Sequence, residues 1–90
     1  MYQLEQTGQF KRDIKLAKKR GFDTRLLDEV VNNLVENGIL PVKFKPHKLL
    51  GKYKGFWECH INPDWLLIWE QNETIRLITL IRTGTHSDLF

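Results

Sequence analysis

Apolar residues recur at helical spacing in the first half of this chain and crowd into strand-like runs in the second. In TGQFKRDIKLAKKRG, Phe10, Ile14 and Ala17 fall on one face, with Leu16 adjoining. That spacing predicts a helix, with Thr7 as its N-cap. The basic run Lys18-Lys19-Arg20 suits the negative end of the helix dipole, and Gly21 breaks the element. In FDTRLLDEVVNNLVENG, the stripe Leu27, Val30, Val31, Leu34 and Val35 predicts a second helix. Asp23 or Thr24 caps its start, and Gly38 stands at the C′ position. One tight connection separates the two, so an antiparallel helix hairpin is expected. Ahead of them, Tyr2–Glu5 reads as a short strand.

The pattern changes after Gly51. KGFWECHI, WLLIWEQ and TIRLITLIRT are rich in aromatic and β-branched residues, as strands are. Asn62-Pro63-Asp64 and Gln71-Asn72-Glu73 separate them, and such short links imply antiparallel hairpins. WLLIW and IRLITLI are nearly continuous apolar runs, which suits central strands covered on both faces. Pro41 and Pro46 make the preceding segment an irregular connection. The expected fold class is therefore α+β. A short N-terminal strand and a two-helix hairpin precede an antiparallel β-meander, in one sheet with the helices on one face. Residues 1–90 are read as one domain, with no linker or repeat to divide them.

Hairpin geometry places the polar residues. If Glu70 faces Thr74, paired residue numbers in that hairpin sum to about 144. Arg82 then falls beside the Asn62-Pro63-Asp64 turn, which His60 and Asp64 flank. Gly84 allows a sharp bend that keeps His86 near the same end, and Phe90 is free to fold back over it. His47 is harder to place. An unbroken strand from Lys52 to His60 would span roughly 27 Å and leave His47 at the opposite end. Bends at Gly51 and Gly55 would bring it back.

Composition narrows the chemistry. Lysine and arginine number 14 against 11 acidic residues, a modest surplus that is unevenly placed. Val42–Gly55 carries Lys43, Lys45, Lys48, Lys52 and Lys54 without an acid, and Phe44, Tyr53, Phe56 and Trp57 stand among or after them. Cations neutralise phosphates and aromatic faces stack on bases, so this mixture suits RNA, with Lys52 and Lys54 as candidate substrate contacts. The single cysteine, Cys59, excludes an internal disulfide framework and a multi-cysteine metal site, and alternation turns it away from His60 toward the core. The spacing of the three histidines matches no metal signature, so no cofactor or metal is expected. No apolar run is long enough to span a membrane, and the N-terminus lacks a signal-peptide layout, so a cytoplasmic home is expected.

His60, His86, Asp64 and Arg82 are a set that RNA cleavage can use. A base takes the proton of a ribose 2′-OH, an acid protonates the departing 5′ oxygen, and a cation steadies the phosphate. Histidine titrates near neutrality, and the arginine fork matches phosphate oxygens.

The ordered motifs HKL at His47, GKYKG at Gly51, HINPDWLLI at His60 and RTGTHSDLF at Arg82 resemble the YafQ family, within the RelE superfamily of type II toxin–antitoxin toxins. The resemblance covers the whole chain. It implies a metal-independent endoribonuclease, an mRNA interferase that cuts mRNA in the ribosomal A site. It gives acid–base work to His47, His60, Asp64 and His86, and the scissile phosphate to Arg82. Trp65 and Phe90 would support substrate binding or the shape of the site. Pro46 and Lys48 depart from the residues that commonly flank the matching histidine. The implied partner is a small antitoxin, often with a ribbon-helix-helix end, through which alone promoter DNA would be reached. The basic face from Lys43 to Lys54 would receive an acidic antitoxin segment or ribosomal RNA. The alternative is a non-catalytic RNA- or protein-binding module of the same fold.

Overall fold

The cap of the first helix is also its attachment to the sheet. Thr7 accepts a hydrogen bond from the Phe10 amide at 3.0 Å and starts α1, Gly8–Lys19. Its own amide donates to the Leu80 carbonyl at 3.0 Å, and its hydroxyl to that of Ile81 at 2.9 Å. One residue therefore ends β1 (Gln3–Gln6), begins α1 and fastens both to the last strand. Asp23 caps α2, Thr24–Asn37, which Gly38 closes in the left-handed conformation. The computed structural model describes residues 1–90.

The sheet has five strands in the order β1-β5-β4-β3-β2. Here β2 is His47–Lys48, β3 Trp57–Asn62, β4 Trp65–Asn72 and β5 Leu77–Gly84. The expected C-terminal meander is present, with β3, β4 and β5 paired antiparallel. β1 pairs with β5 in parallel, so the sheet is mixed.

Alternation along β3 and β4 sends Cys59, Ile61, Trp65, Leu67 and Trp69 to the helices. There they pack with Phe10, Ala17, Leu27, Val30 and Leu34. Leu66 and Ile68 face the other way, where Tyr53 and Leu89 cover them. The continuous apolar run of β4 thus has a cover on each face. One is the helix pair; the other is the segment around Tyr53 together with a final short helix, α3, His86–Leu89. No helix is long and apolar enough to cross a membrane.

One expectation about register is corrected, and one open question is decided. β5 begins at Leu77, not Thr74, because the Asn72 side chain accepts from the Thr74 and Ile75 amides and builds a wider turn. Arg76 closes that turn at φ 54°. Glu70 consequently pairs with Thr79, and Arg82 lies opposite Ile68 after a bulge, not beside the Asn62-Pro63-Asp64 turn. Nor does a strand run from Lys52. Gly51–Tyr53 is a 3₁₀ turn, and Gly51 and Gly55 both take positive φ. The Leu49 amide bonds the Phe56 carbonyl at 2.8 Å, closing a loop that returns His47 to Glu58 across β2 and β3.

Gly38 tests this packing. Its φ is +69°, and an added Cβ would collide with the Tyr2 hydroxyl end, which donates to Glu73. Gly21 has φ +80° but open space around it. Gly38→Ala is expected to cost about 2–4 kcal/mol from backbone strain and overpacking together, and Gly21→Ala only about 1–2 kcal/mol. Urea denaturation midpoints of the two variants check this difference.

Candidate active site

The site forms where the β3–β4 turn meets the end of β5. α3 is held there by a capping box: the Thr85 hydroxyl accepts from the Asp88 amide at 3.2 Å, and Asp88 accepts from the Thr85 amide at 2.9 Å. Arg20, at the C-terminus of α1, grips the same carboxylate at 2.6 and 3.1 Å. Gly84 does not serve as the sharp bend expected of it, since its φ is not positive. It is needed because a Cβ there would lie 2.9 Å from Asp88 Cβ and Oδ2.

These contacts fix His86 as the first residue of α3. Its amide donates to Asp64 Oδ1 at 3.2 Å, and its ring Nδ1 lies 2.9 Å from the same oxygen. Nδ1–H donation to Asp64 leaves Nε2 facing outward. The His60 ring centroid is 5.8 Å from that of His86, and no protein group hydrogen-bonds the His60 ring. So His60, Asp64 and His86 meet at one rim, joined by residues far apart in the chain.

The structure places His47 on the same face. It pairs with Glu58, which makes it the diagonal neighbour of His60, at about 7–8 Å for this geometry. Its Nε2 lies 3.2 Å from Glu58 Oε1, and its Nδ1 lies 3.0 Å from the Lys45 carbonyl. Both ring nitrogens therefore face oxygen acceptors. Phe90 sits edge-on against Tyr53, with ring centroids 5.5 Å apart, and is 62% exposed. Lys52 and Lys54 flank Tyr53 and are exposed, with Lys52 Nζ 5.2 Å from the Tyr53 ring.

Two expected residues lie elsewhere. Arg82 is on the site face but directs its guanidinium off the edge of β5, where Nε and Nη2 reach Asp13 at 2.8 and 3.1 Å. Trp65, expected to contact substrate, is 1% exposed on the helix face, with its ring 5.0 Å from that of Phe22. Strand alternation sends it there, with Leu67 and Trp69.

Asp13 and Glu58 were not singled out beforehand. Asp13 did leave a signal, an acid three residues after Phe10 and four before Ala17 on the apolar face of a helix. Glu58 left none, because a polar residue at every second strand position is ordinary. Its Oε2 is buried without a hydrogen-bond partner.

Charge settles around these contacts. The His86 hydrogen bond holds the Asp64 carboxyl below the usual carboxylate range. The Asp13 carboxylate raises Arg82 above its ordinary value by hydrogen-bonding its protonated form. Burial pushes the Cys59 thiol up to about 12, which leaves it inert on the helix side. No group of three His, Cys, Asp or Glu side chains is gathered so as to hold a metal ion.

Comparison with known proteins gives the family and the fold. Residues 2–90 match the profile of the family described as bacterial toxin of type II toxin-antitoxin system, YafQ. The mRNA interferase toxin YafQ of Escherichia coli K12 is 40% identical over 88 residues, covering 97% of this chain and 94% of that protein. The crystal structure of YafQ from Escherichia coli BL21(DE3) superposes with a TM-score of 0.92 at 37% identity, covering 100% of this chain and 99% of that one. The toxin in the crystal structure of the Escherichia coli DinJ-YafQ complex gives 0.90 at 38% identity, with 100% and 99% covered. The fold is that of a small bacterial toxin of the type II toxin–antitoxin systems. The chain belongs to the YafQ family.

The docking of α3 has a defined response to acid. Asp88 lies well below its ordinary range because Arg20 and Thr85 bond its ionised form. A lowered folded-state value stabilises fully above the unfolded value, about 3.9, and is lost as pH falls through the folded one. The Thr85 amide resonance is therefore expected to stay constant from neutral pH to about pH 4, and to move only in stronger acid. An NMR titration checks this, and Asp88→Asn should displace the resonance at every pH.

Proposed function

We propose that this chain is a ribosome-dependent mRNA interferase that cuts mRNA by acid–base attack of a ribose 2′-OH on the adjacent phosphodiester. Endoribonuclease activity follows from its curated relatives, named mRNA interferase toxins. The observation that carries the mechanism is the pairing of a histidine held by a carboxylate, His86 on Asp64, with the unbonded ring of His60 at 5.8 Å. One histidine is oriented to give a proton and the other is free to take one.

His60 removes the 2′-OH proton, and the 2′ oxygen attacks phosphorus. The bond from phosphorus to the 5′ oxygen breaks, and His86 Nε2–H protonates that leaving oxygen, producing a 2′,3′-cyclic phosphate. Asp64 orients the imidazole through its contact with Nδ1. His47, with both ring nitrogens turned to acceptors, fits a supporting role beside the phosphate better than that of base. Arg82 contacts a non-bridging phosphate oxygen, and Lys52 and Lys54 neutralise neighbouring phosphates. Phe90, exposed on the same face, offers a ring for base stacking. Trp65 acts on the shape of the site from within the core.

The reading takes residues 1–90 as one toxin domain in the cytoplasm, where translating ribosomes and mRNA are found. Its partner is a cognate antitoxin, supported by the relative solved in the DinJ-YafQ complex. A ribbon-helix-helix end on that antitoxin would carry the pair to promoter DNA.

Adding the purified chain to translating ribosomes and mapping mRNA ends tests the proposal. His60→Ala and His86→Ala are each expected to lose about 10²–10⁴-fold in cleavage rate. Arg82→Ala should also lose cleavage without loss of fold. An intact chain that leaves the mRNA uncut would favour the non-catalytic binding module.

A further inference from the structure

We infer that Asp13, in the first helix, is a positioning residue of the cleavage reaction: its buried carboxylate aims Arg82 at the scissile phosphate. This inference rests on Arg82 being the phosphate contact proposed above.

The geometry around Asp13 is over-determined. Arg82 donates to it twice, from Nε at 2.8 Å and Nη2 at 3.1 Å. The Thr83 amide donates to Oδ2 at 3.1 Å, and Gln9 Nε2 to Oδ1 at 3.0 Å. Asp13 itself is only 8% exposed. The reason for this arrangement lies in the sheet. β1 ends at Gln6, opposite Leu80, so the outer edge of β5 has no strand beside it from Ile81 onward, while β4 still pairs the inner edge. α1 crosses that gap, and Asp13 gives the Thr83 amide the acceptor that a strand would have supplied. The carboxylate is thus tied to the backbone one residue away from the arginine it holds.

The consequence for Arg82 is a fixed fork. An arginine side chain is long, and much of its rotamer freedom must be lost before it can hold a phosphate in one pose. Asp13 takes two corners of the guanidinium from behind. Nη1 is not used by Asp13 and is left to meet a substrate oxygen. A preformed donor of this kind acts on the transition state, where charge builds on the phosphate oxygens. It has an opposing effect as well. A carboxylate beside the guanidinium weakens attraction for any phosphate, reacting or not. Removing the charge of Asp13 should therefore leave substrate binding intact or tighter while slowing turnover. A merely structural residue would not produce that split.

The experiment compares the full chain with Asp13→Asn, Arg82→Ala and the double variant, measuring kcat and KM for a defined mRNA on ribosomes. Asp13→Asn keeps the shape and the acceptor for Thr83. It is expected to lower kcat about 10–100-fold with KM unchanged or reduced, and the double variant should equal Arg82→Ala alone. Arg82→Lys keeps the charge but cannot make the two-point contact, and should lose kcat to the same extent as Asp13→Asn. If Asp13→Asn fails to fold, as melting and circular dichroism would report, Arg82→Lys decides in its place. Unchanged kcat in Asp13→Asn or Arg82→Lys overturns the inference. So does a faster Asp13→Asn, which would make the contact a latch, and so does a double variant whose losses multiply. Wild-type cleavage by Arg82→Ala is a separate result: it removes Arg82 from the reaction and with it the reading on which the inference stands.

Discussion

The central strand has no room for water on either side, and the rest of the molecule is arranged around that constraint. Trp65, Leu66, Leu67, Ile68 and Trp69 are all buried, the odd residues under the helix pair and the even ones under Tyr53 and Leu89. An ionisable group placed among them would lose its hydration without gaining a partner. The titrating side chains are therefore gathered where β4 begins, at its turn with β3 and at the close of β5. The same burial keeps the sheet stiff, so groups attached to its rim are held at fixed separations.

One arm of the site is not part of the sheet at all. His86 depends on a four-residue helix that could not persist alone. It is held by its own capping box, by Arg20 reaching from α1, and by the space that Gly84 leaves for Asp88. The helix layer thereby helps to build the candidate site. Through Arg20 it anchors the segment bearing one histidine, and through Asp13 it fixes the arginine. Helix and sheet residues distant in the chain thus meet in two separate ion pairs, Asp13 with Arg82 and Arg20 with Asp88.

Much of this was legible beforehand, for identifiable reasons. Both helices follow from apolar spacing and from caps at Thr7, Asp23 and Gly38, which are local signals. The meeting of His60, Asp64 and His86 follows from two short turns, because antiparallel pairing returns nearby residues to the same end. Arg82 was misplaced because its register depended on how Asn72 folds the intervening turn, and a side chain accepting two backbone amides is not visible as periodicity. His47 stayed undecided because Gly51 and Gly55 permit a loop without dictating one. The resemblance left Trp65 to substrate binding or to the shape of the site, and its strand parity places it in the core with Trp69.

The order of residues alone determined the α+β class, the two helices and the meander, and it named the candidate acid–base groups. These depend on periodicity, capping and turn chemistry, which act between residues near one another in the chain. Only the tertiary structure decided that β1 joins β5 in parallel, that Asp13 holds Arg82, and that Glu58 holds His47. Each is a contact between distant segments, set by which edges and faces remain unfilled once the sheet has closed. No local pattern encodes such a vacancy, so no local pattern names the side chain that fills it.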